Sequence, residues 1–204
     1  MAARGAAQGA RVTTWRRRLL RMPGLIEPEQ GLRLADLAST VPSWAAIVEV
    51  GSHTGLSTCD LGHGSTGAHV FAVDPWAAPR PGSRDDPFGL GTGRAVYDVF
   101  AGNLTAEGLW PVVTPLASTS AEVAAIWRAP VGLLFIDAIH TEEAVRADLA
   151  AWLPHLIDTG WVALHDYDTD PTHDYYGVSV VADGMAADGW QVAPRVGSLW
   201  TAHR

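Results

Sequence analysis

A doubly wound α/β sheet, mostly parallel and finished by a C-terminal antiparallel hairpin, is predicted by three features of the sequence. Apolar runs of strand length alternate with helical stretches from residue 45 to residue 166, the pattern of repeated βαβ units. The clear runs then stop at polar residues: Glu49 and Gly51, Asp74, Asp137, and the pair His165-Asp166. Open α/β sheets bind ligands beyond the carboxyl ends of their strands, so polar residues gathered there mark a site. The first run breaks into a glycine-bounded loop, Gly51-Ser52-His53-Thr54-Gly55, and a new helical segment starts at Leu56.

Taken in order, residues 1–13 are small, polar and rich in Gly and Ala, a composition that does not bury enough apolar surface to order itself. Trp15 to Met22 reads as a basic helical turn stopped by Pro23-Gly24, so residues 1–23 are expected to be a flexible basic segment ahead of a single domain, 24–204. Glu27 to Leu37 is amphipathic, with apolar residues at 32, 34 and 37. The first strand is Ile47–Val50, the second His69–Asp74, the third Val112–Leu116, the fourth Val131–Asp137 and the fifth Trp161–Leu164. Ser118-Thr119-Ser120 caps a helix running to Trp127. Thr141 opens a longer helix to Ile157 whose stripe includes Val145, Leu149 and Trp152, with Thr159-Gly160 ending it. A helix over Val178–Ala187 and two strands, Trp190–Pro194 and Ser198–Ala202, close the chain around a turn at Arg195-Val196-Gly197. Between Asp74 and Tyr97 lies the least regular stretch, with prolines at 75, 79, 81 and 87. A connection of this length leaving the ligand edge is expected to be a lid or substrate wall.

Bulk composition removes several function classes. With 48% hydrophobic residues in 204, the chain has ample material for one core. No apolar run approaches the length of a transmembrane helix, so no membrane partner is expected. One cysteine, Cys59, rules out an intramolecular disulfide framework and suits a reducing cytoplasm. Residues 1–24 carry six arginines and no acid, leaving a body of net charge −14 within a chain of −8. An acidic body argues against nucleic acid as the main partner. The expected partner is a small-molecule acceptor, with a homodimer through the N-terminal segment as the expected assembly.

The glycine loop has three familiar owners. A dinucleotide loop needs G-x-G-x-x-G, but His53 and Leu56 stand where the later glycines belong. A phosphate-binding P-loop needs lysine, and the chain contains none. What remains is E-x-G-x-x-x-G, followed 25 residues after Glu49 by Asp74. An acid ending the second strand hydrogen-bonds ribose hydroxyls, which assigns a nucleoside without choosing the cofactor. An ordinary βα turn and a strand-terminating aspartate carry the same letters.

The block FIDAIHTEEAVRADLAAWLPHLIDTGWVALHDY, residues 135–167, is more specific. Together with E-x-G-x-x-x-G it closely resembles the bacterial class I S-adenosylmethionine (SAM)-dependent small-molecule O-methyltransferases, relatives of the macrocin-type and catechol-type enzymes. The likeness covers roughly residues 24–204 and implies a Rossmann-like methyltransferase sheet. By that resemblance Glu49, Gly51, Ser52 and Gly55 line the methionine and ribose parts of SAM, and Asp74 holds the ribose. Ser118 matches the position that contacts adenine, Trp76 stacks near the ring, and Asp137 borders the cofactor. In the metal-dependent branch, Mg²⁺ or another divalent ion is held at positions matching Asp137, His165 and Asp166. The histidine departs from the oxygen ligands magnesium prefers and points toward manganese, iron or zinc. Where macrocin-type enzymes carry an acidic base, this chain has Ile139, which moves no proton. His140 falls where catechol methyltransferases place a lysine, making His140 with Asp137 the expected catalytic pair; a helix-entering histidine bonded to backbone has the same place in sequence.

The function implied is methyl transfer from SAM to a hydroxyl of a sugar or phenolic compound of specialised metabolism, with metal assistance. Two other readings fit the same letters. One is a metal-dependent hydroxylase-like or cyclising enzyme of the same fold, using His140, His165 and a carboxylate as a two-His-one-carboxylate set. The other is a non-catalytic SAM-binding protein.

Overall fold

The computed structural model describes residues 24–76 and 93–204, together with Trp15, Arg18, Leu19, Arg21 and Met22. Helix α1 (Pro28–Thr40) leads into β1 (Ala46–Val50). Then follow α2 (Leu56–Gly64), β2 (Val70–Val73), α3 (Gly93–Glu107), β3 (Val113–Leu116), α4 (Ser120–Ile126) and β4 (Val131–Ile136). The second half contains α5 (Glu142–Trp152), a 3₁₀ turn at Leu153–His155, β5 (Leu156–Leu164), α6 (Tyr176–Ala187), β6 (Gln191–Val192) and β7 (Trp200–His203). Seven strands form one sheet in the order β3-β2-β1-β4-β5-β7-β6. β1 to β5 are parallel, and β7 runs antiparallel to both β5 and β6. This is the predicted fold class.

Strand alternation divides the core in two. In β4, Leu133 and Phe135 pack with α1, α2 and α3, while Leu134 and Ile136 pack with α4, α5 and α6. β1 follows the same period, with Ile47 on the first face and Val48 and Val50 on the second. Both faces are covered, which is why these strands read as continuous apolar runs. Cys59 is fully buried in the first cluster, the packed thiol expected of an apolar site.

Three boundaries differ from the sequence reading. The helix from Thr141 stops at Trp152 instead of Ile157, because Pro154 has no N–H to donate and its ring collides with the preceding turn. The chain goes directly into β5, where pairing jumps from Val131↔Leu156 to Leu133↔Trp161. Thr159-Gly160 therefore lies in a bulged strand, not at a helix end. The closing turn falls one residue late: Val196 and Leu199 exchange both backbone bonds around Gly197-Ser198, with Gly197 at φ +58°. Helix α3 begins at Gly93, inside the stretch read as irregular; residues 77–92 of the expected lid lie outside the described residues.

The described part of the N-terminal segment is docked onto the domain. Leu19 is fully buried, and the Trp15 ring stacks on His63 at 4.9 Å between centroids. Arg18 donates to Glu107 through Nε at 2.9 Å and Nη2 at 2.6 Å, while His63 Nε2 lies 2.8 Å from the same carboxylate. The Arg18 bonds hold the Glu107 carboxyl below the usual carboxylate range. Residues 1–14 of the expected flexible segment lie outside the described residues.

A carboxyl whose pKa is lower folded than unfolded adds stability above its unfolded value and loses it as pH falls through the folded one. Glu107→Gln is therefore expected to lower the thermal midpoint by ~2–4 °C at pH 7. The gap from wild type should shrink below pH 4.5, the ordinary value for glutamate. A gap that stays constant down to acid unfolding would show that the charge on Glu107 contributes nothing.

Candidate active site

The site lies where strand order reverses. β1 has β2 on one side and β4 on the other, so the connections leave on opposite faces and a crevice opens at the carboxyl edge. Backbone bonds continue the ladders beyond the strands: Gly51 N–H donates to Val73 at 2.9 Å, Asp137 N–H to Val50 at 2.8 Å and His165 N–H to Ile136 at 3.1 Å. Every described non-glycine residue with positive φ sits on this edge: His53 at 44°, Trp76 at 41° and Asp166 at 61°. Such conformations carry strain and persist where surrounding contacts fix them.

Asp74 fixes the glycine loop. One carboxylate oxygen accepts from the backbone N–H of Ser52 at 3.1 Å and His53 at 2.9 Å, and the other accepts from Trp76 N–H at 2.6 Å. Trp76 turns inward. Its indole donates to the His53 carbonyl at 2.8 Å, and its ring packs against Tyr97 and Phe100. Glu49 is wholly buried and accepts hydroxyl bonds from Ser52, Ser57 and Thr58. Burial pushes its carboxyl up to about 7 against the opposing pull of those hydroxyls. Gly51, at φ +90°, has a further reason to lack a side chain: a Cβ there would lie 2.1 Å from the Asp137 carbonyl oxygen. A side chain at 51 would therefore collide with the turn after β4. Gly55 is the left-handed N-cap of α2, and its missing Cβ leaves room for the Phe100 ring.

On the other side of β1, four polar residues converge. His140 Nε2 lies 2.9 Å from Asp166 Oδ2 and 3.6 Å from Asp137 Oδ1. It is buried, and it makes a hydrogen bond with neither. One ligand atom from each of Asp137, His140 and Asp166 falls within 4.8 Å of the others. A nitrogen close to two carboxylates but off their hydrogen-bond axes is arranged as a ligand facing a shared point. The donor set of one imidazole and two carboxylates fits a divalent ion such as manganese or magnesium. His165 lies beneath: it is 4% exposed, its Nδ1 stands 3.3 Å from an oxygen of each aspartate, and its Nε2 lies 3.0 Å from Gln30 Oε1. Gln30 Oε1 also accepts from Glu27 N–H at 2.8 Å, and its amide donates to Ser198 at 2.9 Å. With that amide orientation fixed, His165 Nε2 is the donor to Gln30.

Charge follows from this packing. Burial opposes charge on both histidines, but the two aspartates dominate and raise His140 to about 9 and His165 to about 10. Burial alone would raise Asp137, yet the His165 charge and His140 hold it below the usual carboxylate range. Without a metal the cluster is thus two carboxylates neutralised by two imidazolium ions.

One cavity of about 510 Å³ contains both halves, reaching from Ser52, His53 and Asp74 to Asp137, His140 and Asp166. Of the sequence-assigned cofactor residues, Gly51, Ser52, Asp74 and Asp137 line it, as does His165. Glu49 and Gly55 stand behind the loop, Trp76 is packed in the core, and Ser118 opens on a different groove with Leu116 and Trp127. Ser118 donates to Glu122 at 2.6 Å. Of the residues expected to hold a metal, Asp137 and Asp166 converge with His140 in front of them, and His165 lies behind.

A family model described as a methyltransferase domain matches residues 48–167, more than half of the chain and both halves of the cavity. The chain belongs to this methyltransferase family. Its fold is that of the class I SAM-dependent enzymes. Among solved structures, the methyltransferase is similar to the O-methyltransferase TomG of Streptomyces achromogenes, involved in tomaymycin synthesis and solved with SAM, at TM-score 0.65 and 17% identity over 97% of this chain and 88% of TomG. An O-methyltransferase from Bacillus cereus in complex with SAH, the demethylated product, gives 0.61 and 18% over 97% and 91%. The SAH-bound methyltransferase PaMTH1 of Podospora anserina gives 0.64 and 13% over 97% and 87%. No helix among the described residues is long and apolar enough to cross a membrane.

Several residues of the methyltransferase site were invisible to sequence reading. Gln30 carries a weak signal, as the third residue after Glu27 in a capping-box position, but nothing in the letters joins it to His165. Tyr175, 4.4 Å between ring centroids from His140, and the cavity residues Ser120 and Asp148 have no local signature.

Gly51→Ala is expected to destabilise the fold by ~1–3 kcal/mol from backbone strain alone, with the Asp137 collision added. Urea unfolding measures it; a loss below about 0.5 kcal/mol would show that the edge relaxes easily.

Proposed function

We propose that the chain is a SAM-dependent O-methyltransferase acting on a hydroxyl of a small molecule, a sugar or a phenol, with a divalent ion held by Asp137, His140 and Asp166. The observation that carries this reading is the single cavity with Asp74 and the glycine loop at one end and the three metal-ligand side chains at the other. Asp74 already orients the loop through two backbone donors, Ser52 and His53, accepts a third bond from Trp76 N–H, and retains a lone-pair site for a ribose hydroxyl. A ribose held at the end of β2 would leave the methyl sulfonium facing the acidic cluster beyond β4 and β5. Holding donor and acceptor in line is the larger part of such a displacement.

When bound, the ion would lower the pKa of an acceptor hydroxyl coordinated to it. His140 then serves as a ligand, and the sequence-based role of general base passes from it: with its Nε2 lone pair given to the ion, it has none left to take a proton. His165, tied to Gln30, keeps both aspartates aimed at the cavity. The front set holds one histidine and two carboxylates, which favours this reading over the two-His-one-carboxylate hydroxylase alternative.

The direct test is methyl transfer from labelled SAM over a panel of sugars and phenols. Activity should disappear in EDTA and return with Mg²⁺ or Mn²⁺. Asp137→Asn and Asp166→Asn should each weaken metal binding by at least the ~10–100-fold that loss of an outer partner costs, with SAM affinity little changed. Full turnover in EDTA would remove the ion from the mechanism.

A pH dependence follows. Because its folded pKa is raised from 6.5 to about 9, His140 stabilises the metal-free fold fully below 6.5 and loses that contribution as pH rises through 9. A metal ligand must be neutral, so each ion bound at pH 7 displaces that proton. Calorimetric Mn²⁺ affinity should therefore climb from pH 7 to 9, approaching about tenfold per pH unit. An affinity flat over this range would exclude His140 from the ligand set.

A further inference from the structure

Behind the acidic cluster lies a buried polar junction that joins three parts of the chain. Gln30, in the first turn of α1, is 2% exposed. Its Oε1 accepts from Glu27 N–H at 2.8 Å and lies 3.0 Å from Nε2 of His165, the residue after β5. Its Nε2 donates to Ser198 Oγ at 2.9 Å, in the turn before β7. Ser198 Oγ also lies 3.4 Å from His165 Nε2, the longer of that nitrogen's two contacts. A Cβ on Gly197, which stands at φ +58°, would lie 2.8 Å from the Gln30 nitrogen, so the turn closes directly on the amide. Gln30 and Ser198 fall on either side of residues 48–167, the stretch matched by the methyltransferase domain model. The junction is therefore supplied by the flanks of this chain. A capping box explains the bond to Glu27 N–H but not the reach to His165.

A backbone group sets the polarity of the junction. A main-chain N–H only donates, so Glu27 requires the amide oxygen of Gln30 to face it. With the amide turned that way, His165 Nε2 gives its proton to the same oxygen. A flipped amide would set the Gln30 NH₂ against two donors. One buried contact thus decides which edge of the imidazole faces α1, and the opposite edge faces the aspartates. His165 Nδ1 stands 3.3 Å from Asp137 Oδ1 and 3.3 Å from Asp166 Oδ1, and it hydrogen-bonds to neither. Held evenly beneath both carboxylates, the ring forms a floor: neither acid can swing back from the cavity without meeting it. Asp166 Oδ2 is left facing His140 at 2.9 Å.

We infer that Gln30 is a positioning residue for the metal end of the site: acting through His165, it holds Asp137 and Asp166 in the arrangement that binds a divalent ion together with His140. This rests on the metal reading above. Groups that orient metal ligands from behind change metal affinity by ~10–100-fold when they are lost.

The test is Mn²⁺ binding by calorimetry on the full chain, with the visible absorption of bound Co²⁺ as a readout of ligand geometry. Gln30→Leu removes the amide with little change in size. It should weaken Mn²⁺ binding ~10–100-fold and shift the Co²⁺ band, while S-adenosylhomocysteine affinity stays near that of wild type. Gln30→Glu keeps an oxygen toward Glu27 and His165, with the Ser198 hydroxyl free to donate to the other, and should retain the wild-type Co²⁺ spectrum. A residue that acts through His165 has no effect once His165 is gone, so in a His165→Asn background Gln30→Leu should add little further loss. Thermal midpoints verify folding; should Gln30→Leu not fold, Gln30→Asn, one methylene too short to reach His165, serves in its place with the same loss expected. An unchanged Mn²⁺ affinity and Co²⁺ spectrum in the folded variant, or an equal loss with and without His165, overturns the positioning role and leaves the metal reading intact. Wild-type protein that binds neither ion overturns both.

Discussion

The close approach of two backbones at the switch point governs this site. The Gly51 Cα faces the Asp137 carbonyl so closely that a single carbon added there would sit 2.1 Å from the oxygen. The contact binds the loop after β1 to the turn after β4, and Asp137 N–H reaches back to Val50 at 2.8 Å. Everything that converges on the cavity is referred to that junction. Asp74 grips the loop from the β2 side, while Asp137 carries the cluster with His140 and Asp166 away from the β4 side. Distance between the two halves of the site is thus set by main chain, the least adjustable part of the molecule.

Electrostatics adds a second constraint. Two aspartates face each other across the ends of β4 and β5, an arrangement that without a cation forces one to hold a proton. Here the neutralising charge comes from His140 and His165, both raised well above the ordinary histidine value. The histidines differ in what they can give up. His165 is locked beneath the site by Gln30, whereas His140 stands at the cavity wall beside Tyr175 with an unbonded Nε2. Under the proposed metal reading, the front imidazole is the one placed to exchange its proton for an ion, while His165 keeps its place beneath the aspartates.

Much of this was legible in the letters, for a definite reason. Strands buried on both faces have to be apolar throughout, so Val131 to Ile136 announces itself, and so does the polar residue that ends it. Asp74, Asp137, His140 and Asp166 were found because strand ends are fixed by local sequence. What escaped depends on three-dimensional neighbours. The exchange of front and back between His140 and His165 is decided by Gln30, 135 positions from His165 in sequence, and by Asp166 at φ +61°. The resemblance implies that Trp76 stacks near the ring. A positive φ instead turns its indole under the loop to bond the His53 carbonyl. The misplaced end of α5 is different in kind: Pro154 was in plain view, but the apolar stripe continuing to Leu156 outweighed it, and that stripe belongs to β5.

The placement of Trp76 alters how the cofactor end should be understood. An aromatic spent inside the core stacks on no base, and the ring of Phe100 beside it fills the space Gly55 leaves open. Aromatic packing here supports the loop from below. Recognition above must come from the loop backbone, from Asp74, and from the small and polar residues that α4 and α5 present across the crevice. Under the proposed SAM reading, Asp74 and the loop meet features any nucleoside shares, while Ala144, Ala147, Ser120 and Asp148 form the wall across the crevice. The two walls come from different parts of the fold, the first from the ends of β1 and β2 and the second from α4 and α5, which pack together on one face of the sheet.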